Sequence, residues 1–303
     1  MNYKIAVCIT FFYKQNRVKY LLEVIDGLVE FSVPIDLTII SNNLPIDFAS
    51  FLKNYVFKKF NFILNIFSPV GLGHPYLLAW SHYSVFKEKI LDISFSHFIY
   101  LEDDIKFTEN NFKYWVEARN ILKNDNLIPA FFRYEINTNS KWYSTDVLKS
   151  MSIYDCKVIL NINNDHFINI VYPYQGMYLY DRELMLEYFH SSSFNPDFDH
   201  GIYNSIFPLK PFNIREKAAL GLTFFNIPKT FRSRTVLPYD VNKNQLKTDC
   251  LIHHIPNNYT LDQSSLNGRI EVDKIFKNIS FKLYLSNLTK ESLKRLVRFI
   301  IKK

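Results

Sequence analysis

Glycine is scarce here: 7 residues in a chain of 303. That excludes collagen-like and Gly-rich low-complexity architectures. Cysteine is nearly as rare. Cys8, Cys156 and Cys250 lie far apart, without a C-x-x-C spacing, which argues against a disulfide framework or a thiolate zinc site and for a reducing compartment. No apolar run approaches the roughly 18 residues of a membrane span. The start, "MNYKIAVCITFFYKQNR", lacks the apolar core and cleavage site of a signal peptide. The expectation is a cytoplasmic protein. No internal repeat, low-complexity tract or evident linker divides the sequence.

Aromatic residues are abundant instead, at 17% with 28 Phe and 20 Tyr, within 48% apolar content. This describes a globular chain whose core is filled by rings. The net charge of +7 allows an anionic partner. Lys and Arg are dispersed except near the C-terminus, however, so no nucleic-acid partner is expected.

The first hundred residues alternate in period. "YKIAVCIT" reads as a strand, followed by helical spacing at Val18, Leu21, Leu22, Ile25 and Leu28. "IDLTIIS" is a second strand, "FASFLKNYVFKKF" a helix and "FILNIF" a third strand. After the loop "SPVGLG", a helix is expected over 74–91, then a strand at "HFIYL". Such alternation implies βαβ units and a mostly parallel sheet with helices on both faces. From about residue 125 the pattern is less regular. Strands are expected near "AFFRYEI", "CKVILNI" and "YQGMYLY", and helices at "DRELMLEYFH" and "IREKAALGL".

The stretch "FIYLEDDIKFT" stands out. Glu102, Asp103 and Asp104 follow an apolar run directly, so three carboxylates sit at a strand's carboxyl end, where open α/β sheets bind ligands. Either they are solvated in a turn, or something cationic gathers them. A hard divalent cation that bridges to phosphate would suit this chemistry.

Taken in order, the segments resemble the GT-A fold of nucleotide-sugar glycosyltransferases over roughly residues 3–260. The resemblance implies an α/β, Rossmann-like single domain. Residues 1–124 would form its nucleotide-binding half, residues 125–260 an elaborated acceptor and catalytic half, and residues 261–303 a helical tail. It also implies a nucleotide-sugar donor, UDP-linked, a glycan or glycolipid acceptor, and Mn²⁺ or Mg²⁺. Thr10 and Phe11 in "CITFFYKQN", with Ser41 and Asn42 in "IISNN", would line the base. Gly73 and His74 would approach the donor, and "YPYQGMYLY" would offer Gln175 and Gly176 to the acceptor. In place of a D-x-D motif stands Glu102-Asp103-Asp104. Glu102 and Asp103 would bind the donor and Asp104 the metal, with His254 or His253 completing its shell. Glu216 would act as base in an inverting transfer, with Asp199 its competitor and Asp197 a third choice.

Other residues carry alternatives of their own. Arg232 and Arg234, in "KTFRSRTV", are spaced to share a strand face and could clamp a diphosphate, or face solvent. Arg133 could contact acceptor or simply pair with Glu135. His200 could belong to a loop closing on the acceptor. In the tail, Leu293, Leu296, Val297, Ile300 and Ile301 form a helical stripe among basic residues, suited to an anionic membrane surface or to docking on the domain. A sugar-phosphate nucleotidyltransferase would need a glycine-rich loop after the first strand, and "TFFYKQNR" has no glycine. A catalytically inactive GT-A fold and a basic membrane-surface protein are the alternatives to an enzyme.

Overall fold

The computed structural model describes residues 4–59, 63–147, 159–162, 165–170, 173–197, 213–265 and 267–275. Cys156, Asp199, His200 and the basic stripe of the tail lie outside the described residues.

The first half runs β1 (Lys4–Phe11), α1 (Val18–Gly27), β2 (Ile35–Ser41), α2 (Ile46–Lys59), β3 (Ile63–Phe67), α3 (His82–Lys89), β4 (Phe95–Glu102), β5 (Ile105–Lys106) and α4 (Glu109–Leu122). The second half begins with β6 (Ile128–Pro129), β7 (Phe132–Ile136), β8 (Trp142–Ser144), β9 (Ile159–Ile162) and β10 (Asp165–Ile168). It continues with β11 (Met177–Asp181), α5 (Arg182–His190), α6 (Ile214–Leu220), β12 (Thr235–Asp240), β13 (Gln245–Leu246), β14 (Leu251–His254) and α7 (Asn258–Leu261).

The central sheet has the order β11-β4-β1-β2-β3. Its four N-terminal strands are parallel and β11 is antiparallel to β4. This 3-2-1-4 order is that of a Rossmann-type half. All seven residues of β2 are buried, as expected of a parallel strand covered on both faces. The α/β class and mostly parallel sheet are therefore as the sequence pattern required.

Local chemistry explains the elements. Leu21, Val24 and Ile25 of α1 and Leu28 just past it have zero exposure, while Val18 and Leu22 at the edge of the apolar stripe are half-buried. At its end Gly27 permits a close approach, since a Cβ there would stand 2.7 Å from the Phe107 carbonyl oxygen. The helix expected over 74–91 is split. Pro75–Ser81 is a 3₁₀ segment begun by His74, and only His82–Lys89 is α-helical. Helix α4, a short-range feature the apolar spacing did not announce, starts at Thr108. There the Thr108 backbone N–H donates to Asn111 Oδ1 at 3.0 Å.

Two smaller sheets complete the second half, one ordered β13-β12-β10-β9 and the other β5-β14-β7-β8. The latter adjoins the acidic stretch. Residues 267–275 are bound to it, with Ser144 N–H donating to the Ile270 carbonyl at 2.9 Å. No helix among the described residues is long and apolar enough to cross a membrane.

Candidate functional site

The acidic triplet sits where the central sheet meets the β14 sheet. Register places Glu102 beside Thr10 at the carboxyl ends of β4 and β1. On its other side, Glu102 N–H donates to the Gly176 carbonyl at 3.0 Å. Gly176 has φ of +65°, and a Cβ there would stand 3.2 Å from Glu102 Oε2. The expected acceptor glycine thus makes room for the first acid. Gln175 is a staple instead, its Oε1 accepting from Phe131 N–H at 2.6 Å.

What gathers the carboxylates is the chain itself. Arg17, at the start of α1, donates from Nε to Asp103 Oδ2 at 2.8 Å and from Nη2 to Asp103 Oδ1 at 2.6 Å. The same Nη2 reaches Asp104 Oδ2 at 2.8 Å. From the other side comes His254. Strand β14 runs antiparallel to β5, pairing His254 with Ile105, and parallel to β7, pairing His253 with Tyr134. His254 therefore lies abreast of both Asp104 and Glu135. Its Nδ1 donates to Glu135 Oε1 at 2.6 Å, and its Nε2 faces Asp104 Oδ2 at 3.6 Å. Glu135 is fully buried, and its Oε2 accepts from Thr260 N–H at 2.7 Å.

These contacts set the protonation pattern. Burial, with Asp104 beside it, raises the Glu102 carboxyl. Burial also pushes Asp103 up to about 7 against the pull of Arg17. Burial opposes ionisation of Asp104 as well, but His254 and Arg17 outweigh it and hold Asp104 well below the usual range. His254 is lifted to about 9 because Asp104 and Glu135 overcome its burial. Adjacent carboxylates with divergent environments thus place the firm negative charge on Asp104.

The histidines divide as strand geometry requires. His253 turns away, its ring 5.2 Å from that of Tyr134 and its Nε2 3.0 Å from Asn257 Oδ1. His254, held by Glu135 on one side, faces Asp104 with the other nitrogen and so orients that carboxylate. The carboxylate of Asp104 itself fits a divalent cation. Asp104 is 8% exposed, and its Oδ1 is buried without a hydrogen-bond partner in the protein. Among the described residues no group of three or more His, Cys, Asp or Glu could hold a metal. A cation that travels with a nucleotide needs only one or two carboxylates, because phosphate and water supply the other ligands.

Around the triplet, Tyr174 OH donates to Glu102 Oε1 at 2.8 Å. Arg133 lies 4.6 Å from the Tyr174 ring and is forked onto Asp146. The simple Arg133–Glu135 pair considered from spacing does not form. Each residue has its own partner on another element. Arg215, exposed on α6, lies close enough for Glu102 to be the main influence on its guanidinium, whose pKa it raises. Sequence reasoning chose its neighbour Glu216 and missed Arg215, as it missed Arg17. Glu216 forms a capping box, its Oε2 accepting from Asn213 N–H at 3.0 Å.

The other candidates are spread along the same edge. Phe11 is buried beside Ser41 in register, and Asn42 Oδ1 accepts from Tyr13 N–H at 2.6 Å. Gly73, with φ of +67°, and His74 lie exposed in the turn before Pro75–Ser81, and that segment packs on α6. Asp197 is exposed. The diphosphate clamp is corrected. Arg234 is buried and donates to both Glu187 oxygens, at 2.6 and 3.0 Å, and to Asn126 Oδ1. Arg232 and Arg234 precede β12 rather than lie on it, and the Arg232 backbone N–H is bound to Asn169 Oδ1 at 2.7 Å.

No family model matches this chain, and no curated protein matches it. Similar solved structures include S. aureus TarS, at TM-score 0.38 and 14% identity, covering 61% of this chain and 29% of that one. TarS 1–349 is similar at TM-score 0.38 and 13% identity, over 72% of this chain and 56% of that one. CMP:2-keto-3-deoxy-manno-octonic acid synthetase complexed with CTP is similar at TM-score 0.34 and 12% identity, over 62% and 78%. The chain spans 29% and 56% of the two TarS chains.

Proposed function

We propose that this chain is a glycosyltransferase that moves a sugar from a nucleoside-diphosphate sugar, UDP-linked, to a hydroxyl of a glycan or glycolipid. The observation that carries this reading is the bare, buried Oδ1 of Asp104 at the carboxyl ends of a 3-2-1-4 parallel sheet. That edge is where such sheets take nucleotides.

In this reading Asp104 holds Mn²⁺ or Mg²⁺, which supplies Lewis-acid stabilisation of the departing diphosphate. The protein does the remaining work. Arg17, Arg133, Arg215 and His254 stand around the acids, and the firm negative charge among them is on Asp104, where a dication would accompany the diphosphate. In this reading Arg215, whose charge is felt by Glu102, would meet phosphate oxygens, and the edge bearing Thr10, Phe11, Ser41 and Asn42 would receive the base. Glu102, fixed by Tyr174, faces the donor's hydroxyls. Proton removal from the acceptor hydroxyl falls to Glu216, in the first turn of α6, or to Asp199, with inversion at the anomeric carbon. General-base assistance of this kind is worth about 10²–10⁴-fold.

The test is a thermal-shift titration with UDP and GDP, each with and without Mn²⁺, on the wild type and Asp104→Asn. A ligand bound only by the native state raises Tm by mass action, about 2.7 kcal/mol at a hundredfold excess over Kd. A rise that needs both nucleotide and cation, and is lost in Asp104→Asn, is the expected result. A folded wild type that responds to neither nucleotide ends this reading.

A further inference from the structure

Arg17 does more than neutralise acids. It occupies both oxygens of Asp103 and one of Asp104, at 2.6 to 2.8 Å. Three consecutive carboxylates at a strand end would otherwise offer several hard oxygens to any free dication. With Tyr174 on Glu102 Oε1, the triplet keeps Asp104 Oδ1, buried and unpartnered, and Glu102 Oε2 at its far end. The guanidinium suits this task because its planar fork matches a carboxylate and its charge does not titrate away. Its side chain keeps 30% of its surface exposed, so solvent and an incoming ligand both reach it.

We propose that Arg17 is a built-in counter-ion that makes divalent-cation binding at Asp104 conditional on the nucleotide. Few free oxygens beside a fixed guanidinium hold a lone dication poorly, because its oxygen shell needs more anionic ligands and the guanidinium repels it. A cation already carrying diphosphate oxygens needs fewer from the protein. The inference rests on the transferase reading for its purpose, but its test requires no nucleotide. Failure of the two is therefore distinguishable.

The experiment measures Mn²⁺ alone, by the electron paramagnetic resonance signal of free Mn²⁺ and by melting temperature. The proteins are the wild type, Arg17→Gln and Arg17→Lys. Removing a unit charge from beside the carboxylates strengthens attraction for a dication. Arg17→Gln should bind Mn²⁺ at least about tenfold more tightly than the wild type and gain melting temperature with it. Arg17→Lys, which keeps the charge, should stay as weak as the wild type. If Arg17→Gln unfolds in chelator, recovery of its melting transition on adding Mn²⁺ is the same result. A purely structural tie between α1 and the triplet predicts lost stability without gained cation affinity. That outcome, or tight Mn²⁺ binding by the wild type, overturns the proposal. So does failure of Mn²⁺ to restore an unfolded Arg17→Gln.

Discussion

His254 Nδ1 and Glu135 Oε1 lie 2.6 Å apart in a place where Glu135 has no exposed surface. They come from strands 119 residues apart in sequence, joined by the parallel β14–β7 pairing. Such a pair is strongly destabilising to break from one side, because the surviving charge is left buried and alone. Glu135→Ala also strips Thr260 N–H of its acceptor. It should lower unfolding free energy by about 3–5 kcal/mol, read as a fall in the urea midpoint. Glu135→Gln should lose less, since its amide oxygen still accepts from His254. Equal losses in the two variants would show that the whole effect lies in the charge on Glu135 and that the retained amide acceptor contributes nothing.

Gly176 links the second half of the chain to the acids. Its left-handed backbone, at φ of +65°, lets its carbonyl accept from Glu102 N–H while Glu102 Oε2 and Ile105 crowd the space a side chain would take. Gly176→Ala therefore combines a backbone penalty of about 1–2 kcal/mol with pressure on Glu102. The expected outcome is a lower Tm together with a weaker nucleotide-dependent shift. A variant that melts lower but binds nucleotide as before would confine Gly176 to a folding role.

The βα half was legible because buried parallel strands read as continuous apolar runs. "IDLTIIS" coincides with β2, residues 35–41. The acidic stretch announced itself for the same reason, as charge at the end of such a run. The cations around it did not. Arg17 sits 86 and 87 residues from its partners, and no periodicity within α1 marks which of its polar residues turns back toward β4. His254 and Glu135 were each visible, but their meeting depends on strand pairing between distant segments. In the second half, two- and four-residue strands such as β13 and β14 owe their form to tertiary contacts rather than to local pattern.

Arg234 shows how spacing misleads. Two arginines two residues apart suggest one face of a strand, yet the backbone ahead of β12 turns Arg234 inward onto Glu187 and Asn126. Arg234→Leu should therefore cost about 3 kcal/mol of stability, measured by urea denaturation, while leaving the nucleotide-dependent thermal shift of the surviving fold unchanged. Loss of nucleotide affinity out of proportion to stability would return Arg234 to the donor site.

His82 is buried completely among Tyr83, Phe86, Tyr100 and Tyr178. Its Nδ1 donates to the Ala79 carbonyl at 2.6 Å, and burial lowers its pKa to about 3. The unfolded chain titrates at the ordinary histidine value, about 6.5. Between those values the unfolded state holds a proton that the folded state refuses, so stability falls as pH falls. The loss begins near pH 6.5 and reaches about 3 kcal/mol by pH 4. His82→Phe keeps the ring among its aromatic neighbours and removes the titration. Its stability should therefore decline less steeply than wild type over pH 6.5–4, measured by urea denaturation at each pH. Parallel profiles for the two proteins would mean that His82 accepts a proton without leaving its place, and that the acid sensitivity of the fold arises elsewhere.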